Sequence, residues 1–527
     1  MKKVFQIQFW SLLLIALFTV SSCTDDLDVL PTDDDANTLE EYLTNNPDGY
    51  KNYLGKLYSG LAVSGPNGAG SSDIQGLDNG FGQYLRAYWM MQEVPTDEAI
   101  LGWVNDQGVL PMSAGTWSTD NQFIRAMYLR IVYQARINSE YLAQTTTDKL
   151  NARGVSATLQ SEITTYRAEA RFLRALSYYH GIDLFGKMTY IDENSPVGFF
   201  YPEEKSRAEL FSYVESELLA IEPQMVAARA NEYGRADRAA VWMLLAKLYL
   251  NAEVYTGTAR WTDALTYSKK VIDAGYTLNG NYANVFKADN NTNGAQNEVI
   301  FPVLSDGNHL QSYGSTTFII HAATGGSMVT ADRGIDFGWG GLRTRRELVT
   351  KFPSSDPRGM FHTSGQSLDI AAIGPEFTQG YAVNKFSNKT STGGNGANPT
   401  FVDTDFPLFR LADAYLMYAE AHLRGGGGSI TDATTYVLNL RTRSGASPIT
   451  AGDLNLNFIL DERARELYWE GHRRQDLIRF NKFVGNYNWQ WKNNSLSGSN
   501  MQNHFNLYPI PAQSRLANPN LTQNPDY

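Results

Sequence analysis

Arg167-Ala-Glu-Ala-Arg-Phe-Leu-Arg-Ala-Leu-Ser-Tyr-Tyr179 lies within a longer stretch, residues 159–185, whose apolar positions recur at the three- and four-residue spacing of one helix face. The same period precedes it at residues 123–142, where Ile124, Met127, Tyr128, Ile131 and Val132 form the apolar stripe and arginines occupy other faces. It returns at residues 208–222 and 236–255. These stretches predict amphipathic helices. Trp261-Thr-Asp-Ala264-Leu-Thr-Tyr267 opens another helix that ends at Ala274-Gly275-Tyr276, so residues 236–274 have the length of a tetratricopeptide helix pair. Ala239, Ala246 and Ala264 supply small residues where paired backbones approach.

The middle of the chain reads differently. From residue 280 to about 401 Gly, Asn, Ser and Thr are frequent, and apolar runs are short, as in Glu298-Val-Ile-Phe-Pro-Val303 and Phe318-Ile-Ile320. This predicts loops with a few strands. Ser391-Thr-Gly-Gly-Asn-Gly-Ala-Asn-Pro399 lacks the Gly-Lys-Ser/Thr ending of a phosphate loop and reads as a plain turn. Helices resume at residues 408–423 and 461–469. With no hinge-like linker, residues 23–527 read as one mainly α domain whose helix pairs support a loop-rich ligand face.

Residues 1–22 have the pattern of a secretory signal: Lys2 and Lys3, then an apolar run at residues 9–20 broken only by Ser11 and Thr19. The run is shorter than the roughly 20 apolar residues needed to span a membrane. Val20-Ser21-Ser22-Cys23 reads as a lipobox, which makes Cys23, the single cysteine in 527 residues, the acylated first residue of the mature chain. Several acyl chains anchor stably where one would not. The following Thr24-Asp25-Asp26-Leu27-Asp28 opens an acidic flexible tether, residues 23–40.

Removing the signal takes away two lysines and no acids, so the formal net charge moves from -11 to -13. That balance disfavours nucleic acid and anionic glycans, since phosphate backbones demand a basic surface. With aromatic residues at 12%, including 30 tyrosines and 10 tryptophans, the chain has what neutral sugar recognition requires, because a pyranose presents an apolar C–H face to a ring. Enzyme motifs are missing: there is no His-Glu-x-x-His, no Gly-x-Ser-x-Gly and no cysteine cluster. Glu169 with Arg171 and Arg174, and Glu466 and Glu470 with Arg473 and Arg474, read as ion pairs along or between helices. The competing reading is a glycosidase acid/base pair, which needs two carboxylates about 5–9.5 Å apart across a cleft. His422 and His472 fall inside helical patterns and read as packed or solvated side chains.

Residues 167–179 followed by Asp183-Leu-Phe-Gly186 resemble the central helix of SusD/RagB proteins. Thr404-Asp-Phe-Pro-Leu-Phe-Arg-Leu-Ala-Asp-Ala-Tyr-Leu-Met-Tyr-Ala-Glu-Ala421 and Glu462-Arg-Ala-Arg-Glu-Leu-Tyr-Trp-Glu-Gly-His-Arg-Arg-Gln-Asp-Leu-Ile-Arg-Phe480 resemble two further helices of that family, and Tyr508-Pro-Ile-Pro511 with Asn518-Pro-Asn-Leu-Thr-Gln-Asn524 resembles its ending. The resemblance implies a fold of tetratricopeptide-like helix pairs with a few short strands. It also implies a non-catalytic, lipid-anchored glycan binder on the outer membrane, working with a SusC-like TonB-dependent transporter. Acidic residues after the lipidated cysteine are similar to the surface-export signal of such lipoproteins.

Pro95-Thr-Asp-Glu98 leads into Leu101-Gly-Trp103-Val-Asn-Asp106, and Ser312-Tyr313-Gly-Ser-Thr-Thr and Phe337-Gly-Trp339-Gly follow much later. In the family's starch-binding type, two tryptophans and a tyrosine at the matching positions form an arc along an α-glucan, which here implies Trp103, Tyr313 and Trp339. Arg86 and Asp78 match positions that hydrogen-bond sugar hydroxyls. Asp106, with Asn105 beside it, stands where that type has asparagine; an ionised aspartate accepts from hydroxyls but cannot donate. Trp103 and Trp339 sit in polar, glycine-flanked segments with little apolar sequence to form a core around them, unlike Trp117, Trp242 and Trp261, which read as packing anchors. No cofactor is implied, and a calcium ion on a loop is left open.

Overall fold

The structure, a computed structural model, describes residues 38–527. Its principal helices are α1 (Gly49–Ala62), α2 (Tyr84–Glu93), α3 (Gln122–Gln144), α4 (Ala157–Leu184), α5 (Arg207–Ile221), α6 (Arg238–Leu250), α7 (Trp261–Ile272), α8 (Ser315–Ala322), α9 (Leu411–Leu423), α10 (Ile430–Arg443), α11 (Leu456–Leu467) and α12 (Arg473–Arg479). Side chains at their starts satisfy the orphan N–H groups: Asn121 accepts from the amides of Phe123 and Ile124, Ser156 from Leu159, and Ser206 forms a capping box with Glu209. Helices close in sequence pack on one another, α3 on α4, α4 on α5, α6 on α7 and α9 on α10, while α7 also packs on α9. This is the helix-pair architecture that the sequence predicts.

Strands are short. β1 (Ile100–Leu101), β2 (Val299–Val303), β3 (Leu342–Arg343) and β4 (Phe406–Arg410) form two antiparallel ladders, β1 with β3 and β2 with β4. The hydrophobic core draws residues from Leu43 to Leu521, and a smaller cluster of buried residues gathers on α9, α10 and α11.

Several boundaries differ from the sequence reading, each for a local reason. Residues 236–255 break at Asn251, whose side chain bonds the Lys247 carbonyl and accepts from Arg479, so a short second helix, Ala252–Thr256, follows α6. Residues 408–410 are strand, because β4 pairs with β2 before α9 begins. Phe318-Ile-Ile320 lies in α8, all of whose residues are buried, so no polar face marks its period. Helix α11 stops at Leu467, since Trp469 and Gly471 take positive φ values of 63° and 80°. Leu39 and Glu40, placed in the tether by sequence, already belong to a helix, Leu39–Asn45, with Thr38 and Glu41 as its capping box. The signal, Cys23 and the residues 25 and 26 lie outside the described residues.

The charged residues singled out as scaffold pair between elements rather than along one helix. Glu169 binds Arg235, and Arg171 and Arg174 both bind Glu217. Glu466 joins Arg358 at 3.1 Å and Arg410 at 2.7 Å, and also meets Arg443. Glu470 joins Lys385 and Arg410, each at 2.6 Å, and Arg473 joins Asp97 at 2.6 Å. Glu169, Glu466 and Glu470 are fully buried, so none stands open to a cleft as a glycosidase carboxylate would.

Candidate functional site

Trp103 and Trp339 come from distant segments, and the β1–β3 ladder brings them side by side. Its register sets Leu101 against Leu342, and the Gly102 amide then donates to the Gly341 carbonyl at 3.0 Å, which lays Trp103 beside the residues that follow Trp339. A Cβ at Gly341 would stand 2.3 Å from Cε2 of the Trp103 ring, so only glycine allows this approach. The two indoles are 6.4 Å apart, centroid to centroid, and tilted by 46°.

Helix α8 holds the second side of the site. The amides of Trp339, Gly340 and Gly341 donate to the carbonyls of His321, Thr324 and Ala322, tying that segment to the C-terminal end of α8. His321 lies fully buried beneath Trp339, with its imidazole stacked on the indole at 4.8 Å and 27°. Burial lowers the His321 pKa, so the ring is neutral, and its Nδ1 donates to the Phe337 carbonyl at 2.8 Å. Tyr313 stands two residues before α8 begins, 6.3 Å from Trp339 and inclined to it by 52°. It is 39% exposed, so its face is open to solvent.

Helix α2 supplies the polar rim. All its residues are buried except Arg86, which turns toward the rings. The guanidinium lies 4.1 Å over Phe318 and 6.0 Å from the Trp103 ring, and Nη1 donates to the Tyr313 carbonyl at 3.0 Å. Its Nε is buried with no partner among the described residues. Burial lowers the Arg86 pKa to about 10, against the pull of Asp78 and Asp106, so the group stays charged at neutral pH. Asp78 is exposed, with Oδ1 accepting from the amides of Gly80 and Phe81 at 2.7 and 2.8 Å. Gly80 marks the convergence: a Cβ there would lie 3.1 Å from both Arg86 Nη1 and Asp78 Oδ1, and 3.7 Å from Tyr313 Cβ. Asn105 and Asp106 project into solvent on the turn after Trp103, closed by the Asp106 amide donating to the Trp103 carbonyl at 3.0 Å.

Of the side chains named from sequence, Asn105 and Asp106 lie on the exposed turn after Trp103, while the structure brings Trp103, Trp339, Tyr313, Arg86 and Asp78 together. The supports beneath them, Phe318 and His321, were hidden in an apolar run read as loop or strand. Phe401, 5.2 Å from Tyr313, follows a glycine-rich turn that offered no signal. The tryptophans read as packing anchors are so: Trp117 is buried against Tyr508, and Trp242 donates to Glu222 at 2.7 Å. His472 is buried ahead of α12, and His422 lies in α9 with Nδ1 on the Gly427 carbonyl.

Among the described residues no cluster of three or more His, Cys, Asp or Glu side chains could hold a metal ion. Loop carboxylates such as Asp289 and Asp403 accept instead from the Ser391 and Gly307 amides. No helix among the described residues is long and apolar enough to cross a membrane.

The helix-pair fold recurs in solved structures. A SusD superfamily protein from Parabacteroides distasonis matches with a TM-score of 0.69 at 21% identity, over 91% of this chain and 99% of that one. Surface glycan-binding protein A from Bacteroides thetaiotaomicron, in complex with laminarihexaose, matches with a TM-score of 0.68 at 18% identity, over 90% and 99% of the two chains. At these identities the likeness is one of fold. The model of the SusD family matches residues 266–527, and the starch-binding protein SusD of Bacteroides thetaiotaomicron is 34% identical over 100% of both chains. The chain belongs to the SusD family, whose members are non-catalytic carbohydrate-binding proteins.

Proposed function

We propose that the protein captures α-1,4-glucan oligosaccharides at the cell surface and delivers them to a SusC-like TonB-dependent transporter. The observation that carries this reading is the run of rings: Trp103, Trp339 and Tyr313 follow one another at 6.4 and 6.3 Å with neighbouring planes inclined by 46° and 52°, the spacing and tilt that rings set along a curved face would have. A helical α-glucan offers a curved apolar surface to such an arc, whereas a flat β-1,4-glucan touches only part of it. The full-length relative is named for binding starch, which supports the same substrate. Arg86 supplies donors, and Asp78 and Asp106 acceptors, for sugar hydroxyls at the rim.

Each stacked ring contributes about 1 kcal/mol, and exposed hydrogen bonds about as much, which places affinity in the micromolar to millimolar range. Trp103→Ala or Trp339→Ala weakens maltooligosaccharide binding at least tenfold, about 1.4 kcal/mol, in isothermal titration, and incubation with the sugar yields no new reducing ends. Unchanged affinity in both variants contradicts the platform. For display at the membrane the support is the lipobox at Cys23 and the acidic residues after it. Cys23→Ala leaves a folded protein that appears in the soluble fraction of cells, and retention in the membrane fraction counts against the anchor.

A further inference from the structure

Phe401 packs against Tyr313, and among the described residues its ring pairs with neither Trp339 nor Trp103. Its ring is 5.2 Å from Tyr313 and tilted by 55°, so neighbouring rings in the series Trp103, Trp339, Tyr313, Phe401 are inclined to one another by 46°, 52° and 55°. Ring neighbours within the series are successive ones, as expected of an arc rather than a cluster. Phe401 is half-buried, which leaves part of its ring open.

The segment that carries it is pinned on both sides. Asn398 Oδ1 accepts from the amides of Thr400 and Phe401 at 2.9 and 3.1 Å, and the Pro399 carbonyl accepts from the Asp336 amide at 3.2 Å. Beyond the ring, the Val402 amide donates to Thr317 Oγ1 in α8 at 3.2 Å. Helix α8 and the segment leading to Trp339 thus support Phe401 as they support the other rings. The Thr400 hydroxyl, donating to Asp336 Oδ2 at 2.5 Å, places polar groups beside the ring.

We infer that Phe401 is a fourth stacking subsite, which takes one further unit of a neutral glucan at the Tyr313 end and makes the face selective for longer chains. The inference rests on the α-glucan reading of the site. If Phe401 only props Tyr313 from behind, its loss affects every ligand that stacks on Tyr313, whatever its length. If it is a subsite, its loss affects only chains long enough to reach it.

The test is isothermal titration of wild type, Phe401→Ala, Phe401→Leu and Trp103→Ala with a maltooligosaccharide series from maltotriose to maltoheptaose, with thermal melting as the control for folding. Wild type gains affinity with length. Phe401→Ala loses about fivefold for maltoheptaose and less than about twofold for maltotriose, the size of one ring's stacking. Phe401→Leu keeps apolar packing without an aromatic face and loses the same length preference, which preserves the test should the alanine variant fold poorly. Equal losses at every length, or none for maltoheptaose, overturn the subsite. In that event a Trp103→Ala variant that still weakens maltoheptaose leaves the three-ring reading standing. A wild type that binds no maltooligosaccharide sinks both.

Discussion

Arg410 and Arg86 show how differently two regions of this molecule treat the same side chain. Arg410 is buried and meets Glu298, Glu466 and Glu470 at 2.9, 2.7 and 2.6 Å; burial works against its charge, but the three carboxylates overcome that and hold its pKa well above the usual value. Arg86 is half-buried, makes no salt bridge to its acidic neighbours Asp78 and Asp106, and keeps an unpartnered Nε beneath the rings. The Arg410 network pairs its charges with one another and fixes how α9 and α11 meet, although Nε of Arg443 within it is buried without a partner as Nε of Arg86 is. The face leaves rings exposed and donors unused, as a site awaiting hydroxyl groups and a C–H surface would.

The sharpest way to break this contrast is Arg410→Ala. It takes one cationic partner from each of three buried carboxylates, which keep only Arg443, Arg358 and Lys385 among them, so stability falls by about 3 kcal/mol in denaturant unfolding, with sugar affinity unchanged in the fraction that remains folded. A variant as stable as wild type shows that the network is not what holds those helices.

A smaller effect comes from a second buried group, the carboxyl pair Glu93 and Glu98. Glu93 accepts from the Gly471 and His472 amides and Glu98 from the Trp469 amide, which closes the positive-φ turn after α11. Burial pushes Glu93 up to about 7 despite those amides, and burial with the charge of Glu93 pushes Glu98 well above the carboxylate range; Arg473, Asp97 and Lys385 are the other charges facing them. Both groups bind protons more tightly folded than unfolded, so the stability they contribute is complete below the ordinary carboxylate range and is lost as pH rises through about 7. Between pH 6 and 9 wild type loses about 1 kcal/mol more than Glu93→Gln in thermal melts, and parallel curves for the two proteins contradict this.

Helix α3 and the first half of α4 are legible in the sequence because a buried stripe and a polar face alternate along them, and the length of that pattern carries the reading through the rest of α4, where every residue from Ala168 to Leu184 except Arg171 is buried. Helix α2 is not, since it buries every residue but Arg86 and so has no polar face to set a period. In α1 three glycines, Gly49, Gly55 and Gly60, dilute the same signal. The three rings were found through family resemblance rather than spacing, because only the β1–β3 ladder and α8 bring residues so far apart in sequence into one arc. Their props are illegible for a different reason: Phe318 and His321 lie in and just after a short apolar run that reads as loop or strand, whereas the structure buries both in α8, and nothing local says that the core there ends beneath an open surface.

The central claim is that the shape of the ring arc selects the ligand. Isothermal titration of the wild-type protein with maltoheptaose and, under the same conditions, with laminarihexaose and cellohexaose tests it most directly. The account predicts micromolar to millimolar binding of maltoheptaose and at least tenfold weaker binding of the two β-glucans, with the maltoheptaose signal reduced at least tenfold by Trp339→Ala. Tighter binding of laminarihexaose or cellohexaose than of maltoheptaose, through the same rings, would contradict it.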